Sequence, residues 1–359
     1  MSNYITGSNS KAWIRKEDDY GQGFESTTGQ TLINMTSESM SVAYNKLDEA
    51  TLIASKTAPA QDLGSVAVSG GVDTILKPAF ADLAFELALG KATTISSTVE
   101  VDGAIFNQKE YILQDVAEDI PSLAMRMTKG TWMYEYNGLT ISSLTLECPA
   151  QDFVRANFDF RGREEISSTV AAAAPAAPDQ GSYKCTKAKL YIGPVDADQV
   201  EDFEAFDWNS CPADTVTDVE NTTVTFDNGL EDTPATYCSG IYANRPAHGQ
   251  RTVTLQCNVP YSEDFQEFRK DYYANEDPDR LGLMLAFCTK ESYSIEGAPN
   301  VKYPKEQVFV IFDNVSISDA TANISGQGLI DSSFTGTALS VGTAEPVRVI
   351  VRHYDHLAD

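Results

Sequence analysis

A chain of 359 residues is long enough for two domains of ordinary size. Its hydrophobic content of 42% supports a folded interior, and 26 Lys plus Arg against 52 Asp plus Glu leave a formal net charge of −26. That imbalance excludes a protein that grips nucleic-acid backbone through a basic footprint. No run of eighteen apolar residues is present to cross a membrane as a helix.

The opening residues Met1 to Gly7 have neither a basic stretch nor an apolar one, so no secretory leader is expected. Residues 1–30 are rich in Gly, Ser and Thr and carry Trp13, Ile14, Tyr20 and Phe24 as sparse anchors, the pattern of an extended arm. Within it, Gly21-Gln22-Gly23-Phe24-Glu25-Ser26 is one residue short of a dinucleotide-binding glycine motif and follows no strand–helix unit. Met40 to Tyr44 and Ser65 to Ser69 read as strands, the second with strict period-two alternation. Pro78 to Leu89 places Phe80, Leu83, Ala84 and Leu87 on one face between a starting proline and Gly90, which predicts a helix. Val101 to Gly130 is an insertion ahead of the strand pair Gly138 to Leu146 and Phe153 to Phe160. Thr169 to Pro178, TVAAAAPAAP, cannot make a core and is a linker that could span roughly 30 Å when extended. Pro194 to Glu220 is an acidic insertion, without the glycine and oxygen spacing of an EF-hand. Ser262 to Ala274 predicts a second helix with Ser262 as its N-cap.

The halves on either side of the linker repeat each other. Asn45 to Glu49 resembles Asn228 to Asp232, and Ser65 to Ser69 resembles Thr252 to Gln256. Tyr136 to Phe158 aligns without gaps on Phe312 to Phe334, with Ile141/Ile317, Ser142/Ser318, Thr145/Thr321, Gln151/Gln327 and Phe158/Phe334 identical. The expected architecture is mainly β: two tandem related β-sandwich or partial-barrel domains, each with one flanking helix. Residues 1–30 form the arm, 31–168 the first domain, 169–182 the linker and 183–359 the second domain.

Chemistry is sparse. The six cysteines form no CxxC pair and are expected as reduced thiols packed like small hydrophobes. No Walker loop, nucleophile elbow or HExxH helix occurs. His353-Tyr354-Asp355-His356 is read as surface decoration near the C-terminus. No catalytic residue, cofactor or metal is expected.

The order of these blocks resembles the phage tail tube (major tail) proteins of long, non-contractile tails. The resemblance rests on an arm, a strand, Gly64 to Val72 running into a helix, and the final pair Gly138 to Leu146 with Phe153 to Phe160. It implies a structural, non-enzymatic virion subunit, assembled in the host bacterial cytoplasm. Its inner sheets would join as stacked rings, a ring-shaped β-barrel tube around a channel for genomic DNA. Two domains per chain turn the family's six-domain ring into a trimer with pseudo-sixfold symmetry, with a hexamer as the alternative. Asp73, Glu147, Asp159 and Asp331 become candidates for the channel wall, and Trp13, Ile14, Tyr20 and Phe24 for contacts with neighbouring subunits. Val66, Val68, Leu144, Leu146, Phe158, Phe160, Val253, Leu255 and Phe334 would fill the cores. Implied partners are the chain itself, the tape measure protein and DNA passing through without tight binding, and the tail terminator and distal tail proteins. The rival readings are another virion or surface β-sandwich adhesion protein, and a carbohydrate-binding or hydrolytic β-sandwich module.

Overall fold

Strands dominate the computed structural model of the chain because Val, Thr, Ser and Phe alternate between turns over most of its length. The structure describes residues 10–24, 28–48, 61–90, 92–101, 104–113, 120–169, 173–176, 181–193, 215–216, 219–233, 236, 239–274, 281–295, 298–324, 330–340 and 345–354. The first half supplies β1 (Lys11–Lys16), β2 (Thr31–Ile33), β3 (Met35–Glu38), β4 (Ser41–Asp48) and β5 (Gln61–Ile75). Helix α1 (Pro78–Leu89) and the hairpin β6 (Ala92–Val101) and β7 (Ala104–Ile112) come next. They are followed by β8 (Leu123–Lys129), β9 (Trp132–Pro149), β10 (Arg155–Gly162) and β11 (Glu164–Ser168). The second half opens with β12 (Tyr183–Gly193), β13 (Thr215–Val216), β14 (Asn221–Asp227), β15 (Leu230–Glu231), β16 (Ala247–His248) and β17 (Thr252–Pro260). It continues through α2 (Glu263–Phe268), a π-helical turn (Arg269–Tyr273), β18 (Gly282–Thr289), β19 (Ser292–Ile295) and β20 (Ala298–Pro304). It ends with β21 (Glu306–Phe312), β22 (Val315–Asn323), β23 (Asp331–Ala338) and β24 (Arg348–Tyr354).

Two large antiparallel sheets result, and neither closes into a barrel. The first runs β4-β5-β10-β9-β14-β17-β23-β22, with β3 also on β5. Its strand β9 bends, and the Trp132 end leaves this plane to pair with β8 and β11, beyond which lie β1 and β2. Gly138 makes the bend possible. Its φ is +66°, and a Cβ there would stand 2.9 Å from Cβ of Arg163 and 3.0 Å from the Tyr20 ring. The second sheet runs β13-β12-β18-β21-β24-β7-β6, so the first half's hairpin completes a sheet of the second half. One apolar cluster fills the space between the layers and draws on both halves, with Phe80, Phe85 and Phe158 meeting the same core as Phe287, Phe312 and Phe334.

The two halves lay four strands in the same order, β4-β5-β10-β9 and β14-β17-β23-β22. The pairing slips between Ile141 and Ser143 in β9 and between Ile317 and Asp319 in β22, and 317 − 141 = 176 is the offset of the sequence repeat. The offset of the middle block differs from the sequence match. Phe158 pairs with Val72 and Phe334 with Cys257, so Val72 corresponds to Cys257, 257 − 72 = 185 apart. Setting Ser65 on Thr252 gave 252 − 65 = 187. A period-two pattern cannot distinguish a shift of two, and both registers send the same side chains inward.

Candidate assembly surface

Alternation in the first sheet separates an apolar face from a polar one. Val66, Val68, Leu144, Leu146, Phe158, Phe160, Val253, Leu255 and Phe334 are all buried, as their spacing predicts. On the opposite face the registers line polar side chains into rows. One row runs Asp73, Asn157, Thr145, Thr225, Thr254, Thr337 and Ser316 across seven strands. A second runs Arg155, Glu147, Thr223, Gln256, Thr335 and Asp319. Short hydrogen-bonding side chains tie neighbours together. Ser143 donates to Asp159 at 3.1 Å, the Thr145 and Thr225 hydroxyls lie 3.2 Å apart, and Asp73 accepts from Ser37 and Asn157.

Asp73, Glu147, Asp159 and Asp331 therefore stand on one face, where Asp227 and Asp319 join them. Arg155 and Arg161 are the cations on the same strands, and each already faces a carboxylate, Asp152 and Asp232 respectively. These strands are acidic on that face, and their two positive charges are neutralised in place.

The arm residues divide. Trp13 and Ile14 belong to β1, which pairs with β2 and β8, and both are buried within their own chain. The expectation that these two reach a neighbouring subunit is corrected: Ala12-Trp13-Ile14 is an apolar triplet that completes a sheet. Phe24 lies under the Arg126 guanidinium, 4.3 Å from its ring centre, and Tyr20 donates to the Asn244 carbonyl at 3.5 Å. Sequence reasoning missed Glu17, which is buried and accepts backbone N–H groups from Gly21 (2.9 Å), Gly23 (3.0 Å) and Gly138 (3.0 Å).

It also missed His353, which is no surface decoration. Its ring lies between Glu306 (2.5 Å) and Asp82 of α1 (3.2 Å), and Asp82 also accepts from Lys109 and from the Tyr111 hydroxyl at 2.9 Å. Burial alone would lower the imidazole pKa, but hydrogen bonds and charge from Asp82 and Glu306 override it and lift the value to about 9. Asp355 and His356 lie outside the described residues, as does the acidic run 194–214. Among the described residues no group of three or more His, Cys, Asp or Glu could hold a metal ion, and no helix is long and apolar enough to cross a membrane. Cys148, Cys185, Cys257 and Cys288 are buried thiols.

Among the described residues the polar-faced sheet ends on both sides at strands that carry another strand on one flank only, β4 and β22. Such a sheet, apolar on one face and polar on the other with two unpaired edges, leaves backbone groups free to pair with another chain. The model of the phage tail tube protein family matches residues 7–338, and the chain belongs to that family. It is a structural subunit of the virion tail, and its family is one that self-assembles into a tube with other tail proteins. Comparison with curated proteins gives no match.

Proposed function

We propose that three copies of this chain close into a ring in which β22 of each copy pairs with β3 and β4 of the next. The observation that carries this reading is the junction between β9 and β14. The last strand of the first four-stranded set pairs with the first strand of the second set, from Asn221 opposite Pro149 to Asp227 opposite Ser143. The open ends are the same two kinds of strand, β22 last in its set and β4 first in its own. Repeating the junction between chains removes both exposed edges, the usual remedy for unpaired backbone groups. Three chains supply 3 × 2 = 6 sets.

The polar face then surrounds a channel. Asp73, Glu147, Asp159 and Asp331 give it a negative wall, while hydroxyl and amide rows keep it smooth. Such a wall neutralises no phosphates, releases no counterions and leaves a duplex free to slide. The tape measure protein occupies the channel before DNA, and the tail terminator and distal tail proteins close the ends. In this reading the chain does mechanical work and catalyses nothing. Image analysis of assembled tubes tests it: threefold rings with six similar inner segments are expected, and six chains per ring would overturn it.

A further inference from the structure

Helix α1 and its counterpart α2 sit in the same place within their sets, yet their surroundings differ. Eight residues of α1 are buried, from Pro78 to Leu89. What covers it comes from both halves: Phe85 lies 6.2 Å from the Tyr111 ring of the first half's β7, while from the second half Asp82 meets His353 of β24 and Arg251 donates to the Leu89 carbonyl at 3.1 Å. The cover is the end of the second sheet where Glu306 of β21 and His353 of β24 pair. Helix α2 packs on its own half's strand β23 through Phe268, 4.8 Å from the Phe334 ring, but buries only Phe265, and its π turn buries nothing. Tyr273 there is 40% exposed.

The first half has its own version of the covering end, where β8 turns into β9 beside the start of β1. By the 176-residue offset, Trp132 holds the place of Val308, which is fully buried against α1's cluster, whereas Trp132 is 44% exposed. Lys129 stands opposite it and pairs with Glu38 of its own chain at 2.6 Å, and Lys11, opposite Thr128, is a further cation at this end. The helix opposite would present Glu263, Asp264 and Glu267.

We infer that α2 and its π turn dock against the Lys129–Trp132 end of a second copy of this chain, as α1 docks within one copy. The inference rests on the ring reading and extends it from the polar sheet to the outer layer. Trp132 and Tyr273 supply apolar anchors, and the helix carboxylates face the Lys11 ammonium group and that of Lys129, which they share with Glu38 of the receiving copy. Exposed aromatics thus match, and the carboxylates of α2 meet lysines, on two surfaces that the described residues leave partly uncovered; Arg269 and Lys270 of the π turn stand beyond that charge contact.

The test uses the full chain, assembled from an equal mixture of unlabelled and ¹⁵N-labelled protein and treated with a zero-length carbodiimide. Cross-linked peptides joining Glu263, Asp264 or Glu267 to Lys11 or Lys129 are expected, with mixed isotope pairs proving that they link different copies. Trp132→Ala with Tyr273→Ala should cut the fraction of protein in rings at least tenfold while leaving the monomer's thermal unfolding unchanged. Rings that form normally in this variant and give no such mixed peptides would overturn the docking while sparing the ring. Absence of rings from the unaltered chain would overturn the ring reading itself, and the docking with it.

Discussion

His353 joins three elements through one proton. Asp82 on α1 and Glu306 on β21 hold the ring charged, and Asp82 itself is kept down at about 2: burial pushes it up, but His353 and Lys109 override that. Because the folded-state value of His353, about 9, lies above the ordinary 6.5, its contribution is complete below pH 6.5 and is lost as pH rises through 9. Thermal unfolding between pH 6 and 10 should show a loss on the order of 2–3 kcal/mol centred in that window. His353→Gln should flatten the profile there, and a variant that keeps the full slope would sink the assignment. Glu17 makes a different kind of link. Its carboxylate is the acceptor for three backbone N–H groups around the β9 bend, so Glu17→Ala leaves buried donors without a partner. A loss of about 3 kcal/mol or more is expected in chemical denaturation, and a smaller one of about 1–2 kcal/mol for Glu17→Gln, which retains an acceptor oxygen.

At the scale of elements, β1 shows how an arm becomes part of a sheet. Six residue pairs join it to β8, from Lys11 opposite Thr128 to Lys16 opposite Leu123. Removing residues 1–9 should leave the fold intact, whereas removing 1–16 strips Trp13 and Ile14 from the interior and opens the β8 edge. Loss of two large buried side chains costs several kcal/mol, so the longer deletion should be largely unfolded by circular dichroism. A folded, merely assembly-defective product would restore the arm reading for β1. Local signals were legible where the chain decides its own geometry. Pro78 and Gly90 bracket α1 as expected, and the Ser262 hydroxyl accepts from Phe265 N–H at 3.2 Å as an N-cap. The expected run to Ala274 departs from α-geometry at Arg269, where a π turn begins. The polar face was legible too, since alternation around Asp73, Glu147, Asp159 and Asp331 assigns a side once strands are assumed. Long-range choices were not. Nothing near Tyr111 announces that β7 will pair with β24, whose Val349 lies opposite it 349 − 111 = 238 positions away.

For the whole molecule, charge and shape pull in opposite directions. The proposed ring of three chains would gather a formal 3 × (−26) = −78. At 0.01 M salt the screening length is about 30 Å, so carboxylates on adjacent copies repel across the whole contact; at 0.15 M it is about 8 Å. The proposed backbone pairing of β22 with β3 and β4, and the proposed burial of Trp132 and Tyr273, would act over a few ångströms and be hardly weakened by salt. Exposed cross-copy charge pairs of the kind proposed at α2 would contribute about 0–1 kcal/mol each, too little to reverse the sign. Raising salt from 0.01 to 0.15 M should therefore increase the assembled fraction, read by sedimentation velocity, with a plateau near 1 M where only about 3 Å of electrostatic range remains. Substituting Lys for Asp73, Glu147, Asp159 and Asp331 together changes each chain by +8, from −26 to −18, and should shift the assembly midpoint to lower salt. The same rings should then hold duplex DNA at low salt and release it as salt rises, because four new cations per chain neutralise phosphates inside the channel. Rings that dissolve with added salt would mean that attraction between charges, and not strand pairing, holds the copies together.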